Sequence, residues 1–392
     1  MIHFQPSTAL ERLPEQFFAH LVGRAQSMIE AGHDVINLGQ GNPDLPTPIR
    51  IVEALQQAAA NPLHHKYSPF RGHHFLKEAV ATYYQREYGV NLDPENEVAI
   101  LPGSKTGLVE LSQCLLNPGD VALLPDPGYP DYLSGIALAH AEPVLMPLLE
   151  QNQFLPDYDA IDADKLTKAK LMFLNYPNNP TAAVADAHFF EQTVQLAKQH
   201  HICICHDFAY SSISYDGNKA RSFLQTEGAK DVGIEMFTLS KAYNMAGWRV
   251  GFAVGNRSVI EQINLMQDHL YVSLFGAIQE AAAEALLGPQ NETIALTQVY
   301  QDRRDHFISL LQQSGWGVTS PQGTFFCWLK VPSGFSSQEF ADCLLEHAHV
   351  VVAPGNGFGS CGEGFVRAGL VTEKERLIEA AERIAKLDLL HK

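Results

Sequence analysis

Short apolar runs alternate with longer amphipathic stretches along most of this chain of 392 residues. Each run is rich in Val, Ile, Leu and Phe and is bounded by Gly, Pro or polar residues, which is typical of buried strands. Strands that alternate with helices indicate βαβ units. We therefore expect an α/β fold of three layers, in which helices cover both faces of a mainly parallel sheet. The predicted strands of this sheet are 98–101, 121–124, 171–174, 202–205, 236–239 and 251–254.

The C-terminal part of the chain has a different pattern. A long amphipathic helix at 291–314 is followed by two predicted strands, and a helix follows each of them. This order predicts a smaller α+β domain, and the first 45 residues, which lack a sheet-core pattern, are expected to pack on it. The predicted strands here are 323–329 and 365–368, and the helices 338–347 and 374–386. The predicted boundaries are 46–285 for the large domain, and 1–45 together with 286–392 for the small one.

The composition is that of an ordinary globular protein, with 46% hydrophobic and 18% charged residues. Acidic residues outnumber basic ones by 44 to 27, which gives a formal net charge of −17. Because such a surface repels phosphate backbones and anionic lipids, neither nucleic acids nor membranes are expected as partners. A small anionic ligand stays open, since the field inside a cleft is set locally.

Other sequence features indicate a cytoplasmic location. No apolar run reaches the roughly 18 residues of a transmembrane helix, and the N-terminal segment lacks the pattern of a secretory signal. The six cysteines indicate buried thiols in a reducing compartment. Cys203, Cys205 and His206 lie together on one predicted strand but supply too few ligands, so no metal site is predicted.

The segment SKAYNMAGWRVG at 240–251 carries the strongest candidate chemistry. Lys241 follows an apolar strand, where loss of hydration lowers the pKa of an amine and favours its nucleophilic, neutral form. Thr238, Ser240 and Arg249 are close in sequence and together would hold a phosphate beside that amine. For this segment alone, a surface lysine beside a structural arginine is an equal alternative.

Further polar turns follow predicted strands, at the sheet edge where α/β folds bind ligands. The turn 175–181 is rich in Asn and Pro; Asp207 is suited to a cationic ring nitrogen and Tyr210 to a phenolate oxygen. The segment 101–107 starts a helix whose N–H groups bind anions, but it lacks the Walker spacing. Taken singly, each is also explained as a turn or a helix cap. Arg367, inside an apolar strand, needs a carboxylate from the protein or from a substrate.

In this order and combination, these segments are far more specific than any one of them. From the INLGQGNPD segment that begins at Ile36 to Arg367, the chain resembles the class I/II aminotransferases of fold type I, which depend on pyridoxal phosphate. The spacing between Lys241 and Arg249 within SKAYNMAGWRVG is the most specific feature. Within the family, the chain is most similar to bacterial aminotransferases of methionine salvage. The resemblance implies an enzyme that moves an amino group between an L-amino acid with a neutral or hydrophobic side chain and a 2-oxo acid.

The resemblance also implies roles around the cofactor ring. Lys241 binds pyridoxal phosphate as an aldimine and then moves a proton between the substrate α-carbon and the cofactor. Asp207 keeps the ring nitrogen protonated, so that the ring accepts electrons. Asn179 and Tyr210 hydrogen-bond the 3′-oxygen, and Tyr129 stacks on the ring.

The remaining implied roles concern the phosphate and the substrate. Arg367 binds the substrate α-carboxylate, assisted by Gly41 and Asn179. Tyr67 matches a tyrosine that reaches the phosphate of the neighbouring subunit, which implies a homodimer with shared active sites. The residues implied around the phosphate within one subunit are Ser104, Lys105, Thr238, Ser240 and Arg249.

One position departs from the family pattern. After Asn179, Pro180 and Thr181 the family usually has Gly, where this chain has Ala182. Alanine disfavours a positive φ. We therefore expect a small local shift if φ is negative here, and a doubtful position for Asn179 if φ must be positive.

Alternatives to a transaminase also remain. A C–S β-lyase or a cyclase on the same fold would use the same Lys241 for elimination. A pyridoxal-phosphate-binding regulator would need a DNA-binding domain, which does not fit before residue 36. A non-enzymatic protein would leave Lys241, Asp207 and Arg367 coincidental. Phe325, Phe326 and Tyr132 are candidates for the walls of a side-chain pocket.

Overall fold

The centre of the molecule is a seven-stranded sheet in a computed structural model that describes residues 1–14 and 17–387. Four neighbouring pairs in this sheet are parallel, and β8 is antiparallel to both of its neighbours. The strand order is β2-β8-β7-β6-β5-β3-β4. The bounds are β2 Val98–Leu101, β3 Val121–Asp126, β4 Glu142–Pro147, β5 Ala169–Leu174, β6 Cys203–Asp207, β7 Gly233–Thr238 and β8 Gly251–Gly255.

Helices cover both faces of this sheet, which confirms the predicted α/β class. In β2, for example, Val98 and Ile100 join one apolar core, whereas Ala99 and Leu101 join the core on the opposite face. The helices up to the end of the sheet region are α1 Thr8–Glu11, α2 Phe17–Glu30, α3 Ile49–Ala59, α4 His74–Tyr88, α5 Ser104–Leu115, α6 Tyr132–Leu138, α7 Ala163–Lys168, α8 Ala187–His200, α9 Ala229–Val232, α10 Leu239–Ala242, α11 Arg257–Leu270 and α12 Gly276–Leu287.

A second core lies around the C-terminal elements. It includes Tyr300, Phe307, Phe325 and Phe340, and Leu38, from the N-terminal segment, packs into it. The helices here are α13 Asn291–Gln313, α14 Ser337–Cys343 with a π-helical continuation Leu344–Ala348, and α15 Lys374–Ala385. The strands are β1 Ile36–Asn37, β9 Phe326–Lys330, β10 Val350–Val351, β11 Ala353–Pro354 and β12 Phe365–Gly369. The predicted domain boundaries stay a prediction, which the two separate cores support.

The fold differs from the sequence expectations in three details. The first 45 residues do contain a strand, since Ile36 and Asn37 pair in parallel with Val350 and Val351. The strand β4 was not predicted, because its short apolar run 144–146 is flanked by Pro143 and Pro147, and proline is typical of an exposed sheet edge and not of a buried strand. The predicted strand 236–239 ends one residue earlier, because the Thr238 side chain caps α10. No helix in the described residues is long and apolar enough to cross a membrane.

Candidate active site

A cavity of about 430 Å³ lies at the carboxyl ends of β5, β6 and β7, beneath the segment 37–42. Twelve of the thirteen residues predicted for the site line it, and Tyr67 does not. This is the edge at which parallel strands present their following turns. The twelve are Gly41, Ser104, Lys105, Tyr129, Asn179, Asp207, Tyr210, Thr238, Ser240, Lys241, Arg249 and Arg367.

Lys241 projects into the cavity from α10, immediately after β7. Its Nζ donates a hydrogen bond to the carbonyl oxygen of Gly41 at 2.9 Å. Burial, together with the nearby charges of Arg367 and Arg249, lowers the pKa of this amine to about 8, against the opposing charge of Asp207. The neutral, nucleophilic amine is therefore far more accessible near neutral pH than that of a surface lysine.

Asp207 ends β6 and is buried at the floor of the cavity. Its Oδ2 accepts a hydrogen bond from the Tyr132 hydroxyl at 2.9 Å, and its Oδ1 is buried without a hydrogen-bond partner among the described residues. Burial raises the pKa of this carboxyl to about 6, against the opposing effects of the Tyr132 hydrogen bond and of His206. A buried carboxylate oxygen that faces a cavity is suited to a cationic donor.

Asn175, at the end of β5, joins two of the predicted residues. Its Nδ2 donates to the backbone oxygen of Asp207 at 2.7 Å, and its Oδ1 accepts from the backbone N–H of Asn179 at 2.7 Å. Asn175 also lines the cavity. Sequence analysis singled out its turn but not the residue itself, although a polar residue at the very end of a buried strand was a usable signal.

The turn after Asn179 shows the feature that the sequence left in doubt. Ala182 has a φ of 60°, a left-handed conformation that alanine adopts at a cost. Its N–H nevertheless donates to the Asn178 carbonyl oxygen at 2.9 Å, and the Asn178 N–H donates to the Ala183 carbonyl oxygen at 2.8 Å. Asn179 lines the cavity in this geometry, so the positive φ does not remove it from the site.

Arg367 lies on β12 and is buried beside the cavity. Nη1 donates to Asn179 Oδ1 at 2.8 Å and Nη2 to the carbonyl oxygen of Gly39 at 3.1 Å. The guanidinium carbon lies 3.9 Å from the ring centre of Phe326 and 4.5 Å from that of Phe358. Burial lowers the pKa of this guanidinium to about 10, which still leaves it charged at neutral pH.

The start of α5 forms the opposite end of the cavity. Gly103 precedes Ser104 with a φ of 86°, and a Cβ on Gly103 would lie 2.3 Å from Arg249 Nη2. Glycine at this position therefore lets the guanidinium approach the helix start. Thr238 Oγ1 accepts from the Ser240 N–H at 3.2 Å and donates to the Ser240 hydroxyl at 2.9 Å. Backbone N–H groups, hydroxyls and a guanidinium together form a donor set that suits a phosphate.

The other predicted residues on the cavity lining are Lys105, Tyr129 and Tyr210. Lys105 Nζ is paired with Asp131 Oδ2 at 3.0 Å, so its amine is already engaged. Tyr129 is half-buried, with its ring 5.7 Å from that of Tyr132 at a near-perpendicular angle. Tyr210 is buried against Phe325, and this burial raises the pKa of its hydroxyl well above the ordinary range.

Tyr67 is the one residue among the thirteen predicted that does not line the cavity. Its side chain is 91% exposed, although its neighbour Ser68 is buried and donates to the Leu274 carbonyl oxygen at 2.7 Å. The aromatic candidates also divide. Phe326 lines the cavity. Tyr132 does not line it, but its hydroxyl donates a hydrogen bond to Asp207.

The apolar side chains that line the cavity from α2 were not predicted from the sequence. Leu21 and Val22, from α2, line it together with Gln40 and Asn42. An amphipathic helix far from the sheet in sequence gives no local signal of a site. Among the described residues, no cluster of three or more His, Cys, Asp and Glu side chains is arranged to hold a metal ion.

A family model described as "Aminotransferase class I and II" matches residues 33–384. The chain belongs to the class I and II aminotransferases. Its relatives include L-glutamine–4-(methylsulfanyl)-2-oxobutanoate aminotransferase of Bacillus subtilis, 61% identical over 98% of this chain and 97% of the relative. LL-diaminopimelate aminotransferase of Moorella thermoacetica is 46% identical over 98% of both chains. The solved structure of apo-BacF from Bacillus subtilis is similar over 100% of both chains, with 52% identity and a TM-score of 0.96.

The aminotransferase therefore uses pyridoxal phosphate to exchange an amino group between an amino acid and a 2-oxo acid. The residues of the cavity fit that cofactor. The unpartnered oxygen of Asp207 suits a protonated ring nitrogen, and the donor set beside Gly103 suits the phosphate. Lys241, whose pKa is lowered, lies between these two ends on the lining of the same cavity.

Proposed function

We propose that this aminotransferase acts on L-amino acids with neutral, apolar side chains, with 4-(methylsulfanyl)-2-oxobutanoate as an amino acceptor. The observation that carries the proposal is the apolar wall beside Arg367. Leu21 packs against Gly39, where its Cδ2 is 2.7 Å from the Cβ position of the glycine, and the Gly39 carbonyl oxygen accepts a hydrogen bond from Arg367. A substrate held by its carboxylate at Arg367 thus has an apolar surface within reach of its side chain.

The charges of the cavity favour this substrate class over one with a second carboxylate. Besides Lys241 and Arg367, the cationic side chains in the lining are Lys105 and Arg249. Lys105 is paired with Asp131, and Arg249 lies at the phosphate end beside Gly103. Within the described residues of one subunit, this leaves no further cation for a distal carboxylate such as that of aspartate or diaminopimelate.

We propose that the predicted residues perform the following work in the reaction. Pyridoxal phosphate, when bound, supplies the ring that accepts the electron pair left at the substrate α-carbon. Arg367 binds the substrate carboxylate and fixes the α-carbon. Lys241, as a neutral amine, takes the proton from the substrate α-carbon and returns it to the cofactor. Asp207 places a negative charge behind the ring, and Asn179 and Tyr210 offer hydrogen-bond donors at its edge.

The remaining predicted residues bind without moving protons. We propose that Tyr129, which lines the cavity, covers a face of the ring. Gly41, whose carbonyl oxygen accepts from Lys241, lies on the substrate side together with Asn179. The phosphate is proposed to be held by Ser104, Lys105, Thr238, Ser240 and Arg249, the first two through backbone N–H groups.

We further propose a homodimer with shared active sites, in which Tyr67 serves the neighbouring subunit. An exposed apolar patch, formed by Leu63, Tyr67, Phe70, Leu270 and Phe275, supports this arrangement. These side chains belong to two segments that are tied together, since Arg71 binds Asp268 at 2.8 Å. Exposed apolar patches of this kind mark interaction surfaces. A cytoplasmic location is also proposed, supported by six free thiols.

The C–S β-lyase is the second candidate function, and a spectrum separates the two. We would record the visible absorption of the holoenzyme with methionine, glutamine, aspartate and LL-diaminopimelate in turn, and add 4-(methylsulfanyl)-2-oxobutanoate afterwards. Methionine should shift the cofactor band and the oxo acid should restore it, whereas aspartate and diaminopimelate should act far more slowly. Lys241→Ala is the control and should show no turnover. The sulfur of methionine is on Cγ, so S-methylcysteine, whose sulfur is on Cβ, is added as the probe for the lyase. Its cleavage to methanethiol, pyruvate and ammonia would favour the lyase, and a faster response to diaminopimelate than to methionine would contradict the proposed substrate class.

A further inference from the structure

A hydrogen-bonded connection joins the central sheet to the loop between β11 and β12. Asp126, the last residue of β3, is buried, and its Oδ2 accepts from the Ser360 hydroxyl at 2.7 Å. Its Oδ1 accepts from the Cys361 backbone N–H at 3.1 Å. The Gly128 N–H, two residues further along the chain, donates to the Phe358 carbonyl oxygen at 2.8 Å. We name these three hydrogen bonds the Asp126 latch.

The loop is shaped to receive the carboxylate. Gly359 has a φ of 133°, and a Cβ at this position would lie 2.0 Å from Asp126 Oδ1. A side chain larger than hydrogen would therefore push the loop away from Asp126. The close approach lets a buried carboxylate accept two hydrogen bonds from one short segment, which offsets the loss of its hydration.

The latch ends on an aromatic ring that contacts the guanidinium of Arg367. The Arg367 guanidinium carbon lies 4.5 Å from the ring centre of Phe358 and 3.9 Å from that of Phe326. Phe326 is on β9, which pairs directly with β12, so its position is fixed by the sheet. The ring of Phe358, in contrast, sits on the loop that the Asp126 latch holds. The position of one of the two rings beside Arg367 therefore depends on the latch.

We propose that Asp126 is a positioning residue for the substrate carboxylate, acting through Ser360, Cys361 and Phe358 on Arg367. This inference rests on the proposed role of Arg367 as the carboxylate-binding residue. Asp126 lies three residues before Tyr129, which is proposed to cover the cofactor ring, so a substitution of Asp126 also bears on the cofactor. Ser360 is on the loop side of the latch, and its substitution separates an effect on Arg367 from an effect on the cofactor. A small displacement of a binding group is sufficient to weaken binding and slow the reaction, because the reacting atoms must be held in narrow geometry.

The test compares two serines that make the same kind of bond. Ser360 donates to Asp126 Oδ2 at 2.7 Å, and Ser336 donates to Glu339 Oε2 at 2.7 Å, in the N-terminal cap of α14. Ser360→Ala and Ser336→Ala each remove one serine–carboxylate hydrogen bond. Ser360 binds Asp126 and lies two residues after Phe358, whereas the hydroxyl of Ser336 binds Glu339 within the cap of α14. Asp126→Asn is a second, stronger variant, and thermal unfolding of each holoenzyme shows whether it is folded.

Two probes separate the carboxylate from the rest of the substrate. The acid probe, 4-(methylsulfanyl)butanoate, has the carboxylate but no amino group; the amine probe, 3-(methylsulfanyl)propan-1-amine, has the amino group but no carboxylate. The dissociation constant of the acid probe is measured by its competition with methionine. That of the amine probe is measured from the change in cofactor absorption, and cofactor retention from dialysis of the holoenzyme.

We expect Ser360→Ala to weaken the acid probe about threefold, with the amine probe and cofactor retention unchanged, and Asp126→Asn to weaken the acid probe about tenfold. Ser336→Ala should leave both probes unchanged. Equal effects on acid and amine, or equal effects of Ser336→Ala and Ser360→Ala, would overturn the inference. Arg367→Ala, run in parallel, should weaken the acid alone. If it does not, the proposed role of Arg367 fails; if it does while the latch variants match wild type, only the latch fails.

Discussion

Burial moves the pKa values of Asp207 and Lys241 toward each other, to about 6 and about 8. A well-formed ion pair would instead move the two values apart, because each charge would favour the other. The loss of hydration therefore outweighs their mutual attraction at this distance. The burial of both groups is unfavourable, and a bound ring with a cationic nitrogen and a reactive carbonyl would offset it. The apoprotein is therefore less stable than its contacts alone suggest.

Asp207→Asn tests this statement through the pH dependence of apoprotein stability. The folded pKa of Asp207 is above its unfolded value of 3.8, so the native state binds more protons in between. The contribution of Asp207 to the unfolding free energy of the apoprotein should therefore fall by up to about 3 kcal/mol as the pH rises from 4 through 6 to 7. Asn has no such titration, so thermal unfolding should show the variant gaining on wild type over this range, while the activity of the holoenzyme falls sharply.

Asp93→Asn supplies the control of opposite sign. The Asp93 carboxyl is exposed, and hydrogen bonds from Asn96 and Glu95 lower its pKa. Its stabilising contribution is present above the unfolded pKa and is lost as the pH falls, so this variant should lose ground on wild type as the pH rises. A constant difference between Asp207→Asn and wild type across the range would contradict the assignment of a raised pKa.

Ala182→Gly tests whether the left-handed residue after Asn179 disturbs the site. Relief of the positive φ should stabilise the protein by about 1 kcal/mol, and loss of the buried methyl should destabilise it by about 0.8 kcal/mol. The net change in unfolding free energy should therefore lie within about 1 kcal/mol of zero, with an unchanged dissociation constant for methionine. A gain in affinity with Ala182→Gly would show that the turn is distorted.

Asn175→Ala should weaken both methionine and cofactor binding, because it removes the hydrogen bonds that Asn175 makes to both Asp207 and Asn179.

At the scale of elements, strands whose side chains are buried were predictable, whereas strands that are exposed or only two residues long were not. The β2 strand was predicted with its observed ends, because four buried residues are bounded by polar and Gly/Pro segments. In contrast, β1 and β10 are two residues each and pair across a separation that no local pattern reveals. The same distinction holds for the site. Residues at strand ends, such as Asp207 and Lys241, were predictable, whereas Leu21 and Val22 reach the cavity from a helix whose sequence shows only its own amphipathicity.

The joint between β2 and α5 is an element whose geometry depends on one glycine. In Gly103→Ala, the alanine would have to adopt the positive φ of Gly103, which its side chain disfavours. Its Cβ would also displace the Arg249 guanidinium from the helix start. We expect the holoenzyme to lose its cofactor at least about tenfold more readily on dialysis, since a charge-assisted phosphate contact contributes about 1.5–3 kcal/mol.

Gly119→Ala is the matched control for this substitution. Gly119 has nearly the same backbone angle, a φ of 90°, but no atom lies within 4 Å of its Cβ position. It therefore carries the backbone strain without the contact to Arg249. Both variants should lower the melting temperature, and only Gly103→Ala should release the cofactor. Equal cofactor loss in the two variants would show that strain, and not the displaced guanidinium, is responsible.

At the scale of the whole molecule, the position of Tyr67 is the feature that one subunit leaves unexplained. The residue is exposed, lies in the apolar patch, and is absent from the lining of its own cavity. If it serves the neighbouring subunit, each site combines Lys241 of one chain with Tyr67 of the other. This arrangement makes a strong prediction for mixed dimers, because two damaged chains can form one undamaged site.

The experiment pairs Lys241→Ala with Tyr67→Ala by co-expression and compares the mixture with each variant alone. In a mixed dimer, the intact Lys241 of the Tyr67→Ala chain meets the intact Tyr67 of the other chain. Statistical assembly gives mixed dimers in about half of the population, each with one complete site, so activity should return to about a quarter of wild type. Sedimentation shows whether each variant still dimerises, and Tyr67→Phe, which keeps the ring, covers the case in which alanine disrupts assembly. Activity no greater than the sum of the separate variants would place Tyr67 outside the partner's site, because a tyrosine that acts only within its own chain leaves every mixed dimer with two damaged sites.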